Sequence, residues 1–165
     1  MPEKAINTPY PVIDTDPHIS RVVRYFRPSD YAAWGVGTAA FPALLYGMDQ
    51  VNPTRAPRGL GTALKLATFF GAVGGFMFAY QRSSKRFWGW SENEREVQLD
   101  KEEMEQRLKE GKPLYGESHL SPYMQGVSSR TSKYSALKLH AVPWFNTTNH
   151  ESHGVDTSKY QASEN

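Results

Sequence analysis

Apolar residues are concentrated in one central stretch of the chain. Ala, Gly, Leu, Phe and Val dominate residues 31–80, whereas residues 81–165 are polar and rich in Ser, Thr, Lys and Glu. A globular domain spreads its apolar residues over all of its elements, because each element contributes a face to one core. The separation therefore predicts a chain with one part in a membrane and another part in water.

Two apolar runs make up this stretch. The first covers residues 31–48 without a charged residue, and the second covers residues 60–80 with one, Lys65, near its start. A lysine at that depth can extend its ammonium group to the membrane surface. The first run would be roughly 27 Å long as a helix, close to the thickness of the hydrocarbon layer of a bilayer. Because Pro53 and Pro57 lie between the runs, we predict a short turn and an antiparallel hairpin of two transmembrane helices.

A pair of buried helices in a soluble protein is the alternative interpretation of the two runs. The first run is short for a span and is weakened by Gly35, Gly37, Pro42 and Gly47. The remaining sequence, however, offers few amphipathic helices that could cover two apolar ones. Aromatic residues also lie near the ends of both runs, as is typical at membrane surfaces. We therefore favour the membrane hairpin, and we expect neighbouring protein helices to cover its weakly apolar first helix.

Small residues recur at every fourth position in both runs. Such a stripe lets helix backbones approach closely, which favours packing inside a membrane. The predicted helix-packing residues are Gly35, Ala39, Ala43 and Gly47 in the first run and Ala63, Ala67, Gly71, Gly75 and Ala79 in the second. Membrane helices are rich in Gly and Ala in general, but two stripes joined by a short turn favour a packing face. Pro42 removes one backbone hydrogen bond and predicts a kink in the first helix.

The charged residues lie outside the middle of both runs. We therefore predict a structural hairpin and not a path for protons or ions. The basic residues flanking the hairpin are Arg21, Arg24, Arg27, Arg82, Lys85, Arg86 and Arg95, against Arg55, Arg58 and Lys65 at its turn. An excess of basic residues marks the inner side of a membrane, so both termini are predicted to lie there. In a mitochondrial inner membrane that side is the matrix.

The polar sequence after the hairpin predicts a surface helix followed by a long extended arm. Ser91 and Glu94 have the spacing of a capping box, and Gly111 marks a helix end, so we predict a helix over about residues 92–110. We interpret its charged residues as a solvated face. The predicted fold class is thus a mainly α membrane protein with an N-terminal extended segment (1–30), a transmembrane hairpin (31–80, with spans 31–48 and 60–80) and a hydrophilic C-terminal arm (81–165).

Aromatic residues continue through this arm, although its periodicity is poor beyond Leu114, apart from a short turn of helix that is predicted to start at Pro122. A segment that cannot bury such rings by itself buries them against something else, so we predict that partners order the arm. The predicted partner-anchoring residues are Trp88, Trp90, Tyr115, Tyr123, Trp144, Phe145 and Tyr160.

No motif in the sequence indicates catalysis or a bound cofactor. The chain has no Cys, which excludes a disulfide framework, a thiolate zinc site and a cysteine nucleophile. Its 19 Lys and Arg nearly balance its 17 Asp and Glu, so no strong field favours nucleic acid. His140, His150 and His153 match no zinc spacing, and we interpret Asp14 and Asp16 as turn residues. We therefore predict no catalytic, cofactor-binding or metal site.

Several short motifs together resemble one family. They are Tyr10 to His18, Trp88 to Glu96, Tyr115 to Ser118, Ser121 to Gly126, Pro143 to Asn146 and His150 to Tyr160. Over nearly the whole chain they resemble the fungal 21 kDa accessory subunit of respiratory complex I. The resemblance implies an accessory subunit of NADH:ubiquinone oxidoreductase in the mitochondrial inner membrane that carries no flavin, iron–sulfur ligands or quinone chemistry. It also implies a role in assembly and stability of the membrane arm, with membrane-arm helices, matrix-side complex I subunits and membrane lipids as partners, and no free homo-oligomer.

Two other classes of protein remain open from the sequence. A subunit or assembly factor of another inner-membrane complex, such as a protein translocase, would also contain Gly-rich spans. A translocase subunit of this kind usually has four spans and lacks a long aromatic arm. A small membrane enzyme would need convergent polar groups near the membrane surface, and the sequence offers none.

Overall fold

The structure is a computed structural model that describes residues 7–53, 57–134 and 145–161. In chain order its helices are α1 (Ile19–Arg24), α2 (Pro28–Val51), α3 (Pro57–Phe87), α4 (Glu94–Lys109), α5 (Pro122–Ser132) and α6 (Ser158–Gln161). Within these ranges there is no strand, only an isolated parallel bridge between His18 and Asn146. The prediction of a mainly helical protein is confirmed.

The chain divides into two compact units, and one of them is built from both flanks of the other. Unit 1 combines Met1–Tyr25 with Ser84–Asn165, and unit 2 is the intervening Phe26–Ser83. The sequence predicts three separate segments, with boundaries near residues 30 and 80. In the structure the two flanks contact each other, so the polar parts of the chain fold together as one unit.

Unit 2 consists of α2 and most of α3. Pro28 occupies the first turn of α2, where an amide hydrogen would have no partner within the helix. The Asp30 carboxylate accepts a hydrogen bond from the Arg27 backbone N–H at 2.8 Å, which caps the helix start. α2 continues through Pro42 as one helix. The tip of the predicted turn, residues 54–56 with Arg55, lies outside the described residues.

The two helices of unit 2 are antiparallel and in close contact. A Cβ atom added at Gly75 would lie 2.7 Å from the Trp34 carbonyl oxygen, and one added at Gly71 would lie 2.8 Å from the Thr38 carbonyl oxygen. The backbones therefore meet at distances that only glycine allows. Trp34 Nε1 also donates a hydrogen bond to the Ala72 carbonyl oxygen at 2.8 Å. This contact joins the second turn of α2 to the middle of α3.

A buried ion pair and an aromatic cluster join the other end of the hairpin, where the chain enters and leaves unit 2. Asp30 is fully buried, and Arg82 Nε lies 3.2 Å from its carboxylate. The ring of Phe76 lies 6.3 Å from that of Phe26 and 5.3 Å from that of Trp34. A buried carboxylate is stable here because a cation and a backbone N–H both compensate its charge.

By length and composition, α3 is the one helix among the described residues that is apolar enough to cross a membrane, over Gly59–Phe87. α2 has 24 residues and is long enough, but its Gly, Tyr, Trp and Pro residues lower its hydropathy. One of the two predicted spans is therefore supported by this criterion, and the second span stays a prediction.

Unit 1 has a small apolar core. Its apolar residues with at most 3% exposure are Ile13, Val22, Phe87, Trp88, Met104 and Tyr160. The N-terminal segment runs beside the end of α3, where Ile13 N–H donates to the Phe87 carbonyl at 2.9 Å and Tyr10 N–H to the Gly89 carbonyl at 3.1 Å. Gly89 has a φ of +71° and the Tyr10 carbonyl lies against its Cα, so a side chain would not fit there.

Two of the predicted extended segments are more ordered than expected. The N-terminal segment contains the six-residue α1, whose first turn is capped by His18 Nδ1 accepting from the Ser20 N–H at 3.2 Å. In the C-terminal arm, α5 begins at Pro122 as predicted but has 11 residues instead of a single turn, and Ser121 caps it by accepting from the Met124 N–H at 3.4 Å. The prediction of a long extended arm is wrong for the described residues, because they fold onto the N-terminal segment within unit 1.

The start of α4 also differs from the prediction. The helix begins at Glu94 after Asn93, so Ser91 does not cap it and the predicted capping box does not form. The Asn93 side chain instead donates hydrogen bonds to the Pro11 and Arg86 carbonyls, at 2.8 and 2.7 Å. This amide ties the N-terminal segment, the end of α3 and the start of α4 together.

Candidate functional site: a buried polar cluster

The most distinctive feature of unit 1 is a cluster of buried polar side chains. They come from the N-terminal segment with α1, from α4, and from the last described stretch of the chain. The polar cluster is defined here as Asp14, Asp16, Arg21, Asp100, Glu103, His150, His153 and Tyr160. All of them except Glu103 are at most 6% exposed. Burying so many charged groups is costly unless each has a partner.

Arg21 lies at the centre of the polar cluster. Its guanidinium group forms ion pairs with Asp14 at 3.3 Å, with Glu103 at 3.4 Å and with Asp100. The guanidinium carbon also lies 5.6 Å from the ring centres of both Tyr25 and Phe87. Burial would lower the pKa of Arg21, but the carboxylates of Asp14 and Asp100 raise it above its ordinary value. Arg21 therefore stays charged and neutralises acids from two distant parts of the chain.

Three acidic residues of α4 face inward at helical spacing. Glu96 is fully buried and lies 3.2 Å from Arg86, and Asp100 is 3% exposed. Glu103 follows three residues later. The interpretation of these charges as a solvated face is wrong, because arginines from outside the helix approach them. The helical spacing of these acidic residues is the sequence signal for an inward-facing stripe. Sequence alone, however, does not place the arginines beside it.

Glu103 accepts hydrogen bonds from donors on two helices. Tyr25 donates its hydroxyl at 2.8 Å and Arg24 its Nη2 at 2.5 Å, while Arg107 Nη2 lies 3.2 Å away. Burial alone would raise the pKa of Glu103, but Arg21, the Tyr25 hydroxyl, Arg24 and Arg107 bring it below its ordinary value of 4.5. The carboxylate is therefore ionised at neutral pH and holds α1 to α4.

Two aspartates of the N-terminal segment pair with two histidines near the C-terminus. His153 Nδ1 lies 2.7 Å from Asp14 Oδ1, and His150 Nε2 lies 2.8 Å from Asp16 Oδ2. Asp14 also accepts from the Asp16 N–H at 2.9 Å, so the predicted turn is present. The further role of both aspartates as partners of the histidines could not be read from their spacing.

Backbone hydrogen bonds run beside these side-chain pairs. Thr15 N–H donates to the His153 carbonyl at 3.0 Å, and Ile19 N–H donates to the Asn146 carbonyl at 2.8 Å. The Asn146 amide group in turn donates to the Asp16 carbonyl at 2.9 Å. The two ends of the chain are thus joined by main chain as well as by charge.

Tyr160 completes the polar cluster from α6. Its hydroxyl donates to Asp100 Oδ2 at 2.5 Å. Burial raises the pKa of Tyr160, and the nearby Asp100 carboxylate raises it further. The phenol therefore remains a hydrogen-bond donor and anchors the last described helix to α4.

A cleft of about 240 Å³ opens beside the cluster, lined in part by Arg24, Arg107, Tyr115 and Asn149. Its charged groups from Arg24, Arg107 and Glu103 already pair with one another. Within the described residues, no three His, Asp or Glu side chains are grouped so that they could hold a metal ion. The arrangement is suited to holding chain segments together.

The predicted anchoring aromatics fall into distinct environments. Trp88 and Tyr160 are each 3% exposed within this chain, so the premise that the chain cannot bury these rings is wrong for both. Tyr115 and Phe145 are half-buried, whereas Trp90 and Tyr123 are exposed, Tyr123 by 75%. Trp144 lies outside the described residues. Of these aromatics, Trp90 and Tyr123 are the ones whose rings are accessible to a partner.

The two predicted stripes of small residues also lie in different environments. Gly71, Gly75 and Ala79 of α3 are buried, and the first two meet Trp34, Gly37 and Thr38 of α2, with Ala63 and Ala67 half-buried farther along. The α2 stripe, formed by Gly35, Ala39, Ala43 and Gly47, is exposed. Trp34 and Thr38 lie one position before Gly35 and Ala39, so α2 meets α3 with a neighbouring face.

Comparison with known proteins bears on the identity of the chain. Residues 7–92 match the family described as NADH-ubiquinone oxidoreductase complex I, 21 kDa subunit, and residues 101–165 match the C-terminal family of the same subunit. The NADH-ubiquinone oxidoreductase 20.9 kDa subunit of Neurospora crassa is 52% identical over 158 residues, which cover 95% of this chain and 84% of the relative. The resemblance read from the short motifs is confirmed, and it decides against a translocase subunit. The chain belongs to the family of the 21 kDa subunit of complex I, and is thus a complex I subunit of the mitochondrial membrane.

Proposed function

We propose that the chain is a non-catalytic accessory subunit of complex I that crosses the mitochondrial inner membrane twice. It supports assembly and stability of the membrane arm and contributes contacts on the matrix side. Membership in the 21 kDa subunit family and the apolar helix α3 support this function. The charged groups of the polar cluster are paired with one another, which favours a structural role over a chemical one.

The double crossing is inferred from the two chain segments that together form unit 1. Its N-terminal part precedes α2 and its C-terminal part follows α3, and buried ion pairs such as Arg21–Asp100 connect the two parts. Residues in direct contact lie on the same side of a membrane. If α3 crosses, α2 must cross as well, because only an even number of crossings returns the chain to the same side. The low hydropathy of α2 therefore does not weigh against this topology.

The matrix orientation rests on the basic residues that flank the hairpin. Arg21 and Arg86 belong to buried ion pairs in the folded chain, so they add little positive charge to its finished surface. The positive-inside rule acts while the chain is inserted, before these pairs form. Arg21 and Arg86 therefore still count toward the proposed orientation.

Tags at the two ends of the chain test the topology. We expect most of the protein to resist extraction with alkaline carbonate. In mitoplasts, protease should spare both an N-terminal and a C-terminal tag and cut them only after detergent. Cleavage of one tag alone would rule out the double crossing. Cleavage of both tags would show that both termini face the other side of the membrane.

The exposed stripe of α2 is the surface that we assign to a helix of the membrane arm. A groove of about 440 Å³ runs along it, lined by Tyr31, Gly35, Ala39 and Pro42 among others. Small residues in such a groove let a second helix approach closely. The low hydropathy of α2 also makes protein a better neighbour than lipid for this face.

Two glycines with open space around them provide a matched test of this surface. A Cβ atom at either Gly35 or Gly74 would meet nothing within 4 Å, so a larger side chain leaves the hairpin itself intact. Gly35 lies on the α2 stripe, whereas Gly74 lies on the exposed side of α3. We expect Gly35→Leu to reduce incorporation into complex I on native gels and Gly74→Leu to leave it unchanged. Equal incorporation would argue against the α2 surface as an interface.

A further inference from the structure

One side of α3 carries large apolar side chains that do not contact α2. Four of them follow the helical spacing i, i+3, i+4 and i+7 and are between 42% and 61% exposed: Leu66, Phe69, Phe70 and Val73. We call these four residues the outer face of α3. The rings of Phe69 and Phe70 meet edge to face with their centres 5.5 Å apart, so two large side chains project from the helix together.

The outer face of α3 and the exposed stripe of α2 suit different neighbours. The small residues of the α2 stripe let a second helix approach closely. Projecting rings on the outer face instead occupy the space that the backbone of a second helix would need, whereas fluid acyl chains adapt to their outline. Among the described residues, α3 is the helix that is apolar enough to cross a membrane. Its exposed side chains therefore suit acyl chains, which are as apolar as they are.

Lys65 favours lipid over protein at this surface. It lies four residues before Phe69, on the same side of α3, and its side chain is exposed. Across the described part of the chain, Lys65 has no ion pair or hydrogen bond, and neither acid of unit 2, Asp30 or Asp49, is paired with it. A helix packed over this face would bury the ammonium group and would need an acid to compensate its charge. A phospholipid brings its own phosphate.

The geometry of α3 directs Lys65 toward the nearer membrane surface. Side chains of an α-helix lean toward its N-terminus, and α3 begins at Pro57, at the turn of the hairpin. Lys65 lies roughly 12 Å along the axis from this start, at about 1.5 Å per residue. A Cβ atom at Gly61, one turn before Lys65, would meet nothing within 4 Å, so the lysine stem has room to lie along the helix there. A stem of this length brings its ammonium group to the headgroups.

We propose that the outer face of α3 binds a phospholipid of the leaflet at the turn of the hairpin. The lipid phosphate pairs with the Lys65 ammonium group, and an acyl chain lies along the four apolar residues of the outer face. This inference rests on the proposed double crossing and adds a ligand for one surface of the hairpin. The hairpin then lies at the edge of the membrane arm, with protein against the α2 stripe and lipid against the outer face.

The unpaired charge of Lys65 also predicts which phospholipids bind best. The headgroup of phosphatidylcholine carries an ammonium group of its own, which competes with the lysine for the phosphate. An anionic headgroup such as that of phosphatidylglycerol has no such competitor. One lysine near a membrane surface contributes a preference of about fivefold for anionic lipid.

A photoreactive residue beside Lys65 measures this preference locally. Phe69→benzoylphenylalanine is made in the full chain, which is reconstituted into vesicles of equal parts phosphatidylglycerol and phosphatidylcholine, with one or the other radiolabelled. We expect Lys65→Gln to lower the ratio of captured phosphatidylglycerol to phosphatidylcholine by about fivefold and Lys65→Arg to keep it. Lys101→Gln is the control, because it removes the same charge from an exposed position of unit 1. An unchanged ratio in Lys65→Gln would overturn the proposal.

The same probe in complex I tests the edge position. In mitochondrial membranes we expect the probe at Phe69 to capture phospholipid and a probe at Ala39, on the α2 stripe, to capture another subunit. Capture of another subunit or of a second copy of this chain from Phe69 would contradict the proposal. Protease treatment of the terminal tags in the same membranes separates the two hypotheses. A wrong topology changes the cleavage of the tags, whereas a wrong lipid site leaves both tags protected.

Discussion

Gly71 packs directly against the carbonyl oxygen of Thr38. Pro42 lies four residues after Thr38 and has no N–H to donate to that oxygen. A Cβ atom at Gly71 would lie 2.8 Å from it. The glycine Cα–H group therefore faces the carbonyl that Pro42 leaves without its helical partner, the kind of arrangement in which weak hydrogen bonds occur at helix–helix contacts. The interior proline of one helix is thus matched by a glycine of the other.

Replacing these glycines should weaken the hairpin in a position-dependent way. Gly71→Ala and Gly75→Ala push a methyl group into backbone atoms, and overpacking of this kind costs about 1–3 kcal/mol. Gly74→Ala meets open space and should be neutral or should gain up to about 1 kcal/mol of helix propensity. Titration of the micelle-bound chain with SDS, followed by far-ultraviolet circular dichroism, measures the difference. Equal midpoints for the three variants would contradict a close backbone contact.

Removing the central cation should destabilise unit 1. Arg21→Met leaves Asp14 and Asp100 buried without their main counter-charge, which costs about 3–5 kcal/mol. Arg24→Met removes a cation whose side chain is 58% exposed, so it should cost less than about 1 kcal/mol. Urea unfolding of both variants, followed by near-ultraviolet circular dichroism, separates the two effects. A small loss for Arg21→Met would show that the carboxylates find other partners.

Unit 1 should also lose stability at acidic pH through Glu103. Its pKa is lower in the folded chain than the ordinary value of 4.5, so the folded state binds fewer protons than the unfolded state. The stabilisation is present above the ordinary value and is lost as the pH falls through the folded value. We expect Glu103→Gln to be less stable at neutral pH and to depend less on pH between about 3 and 5. Unfolding curves across that range check the sign.

The exposed aromatic of α5 should affect incorporation without affecting folding. Tyr123 is 75% exposed, so Tyr123→Ala removes no internal contact of consequence. If the ring anchors a partner within complex I, its loss should reduce the amount of subunit in the assembled complex, as measured on native gels. Tyr160→Ala is the contrasting variant, because its ring is buried and its loss should destabilise unit 1 itself. Normal assembly of Tyr123→Ala would show that this ring anchors nothing.

The sequence predicts the helices better than it predicts their contacts. The existence of α2 and α3 follows from their apolar runs, which are local properties, but both helices extend beyond the predicted spans 31–48 and 60–80, and α3 continues to Phe87. The partners of Asp14 and Arg21 could not be predicted, because their contacts join residues separated by up to 139 positions. A local periodicity or spacing does not identify contacts between residues so far apart in the sequence. The sequence identifies the aromatic residues of the arm, but whether Trp88 or Tyr123 is buried depends on the tertiary fold.

The stripe on α2 illustrates the same limit within unit 2. A spacing of four correctly identifies one face of a helix, since the period of the helix is local. It does not tell which neighbour that face meets. Trp34 and Gly37 contact α3 instead of Gly35, because the Trp34 N–H finds the Ala72 carbonyl and Gly37 gives Gly75 room to approach.

The pairing of Asp14 with His153 has a consequence for the biosynthesis of this subunit. The two residues are 139 positions apart, so the ribosome has made nearly the whole chain before the pair can form. Until then the N-terminal segment, with Asp14, Asp16 and Arg21, lacks its C-terminal partners. The polar unit therefore cannot close on a partly synthesised chain, and a chain that stops before His150 lacks the histidine partners of both aspartates.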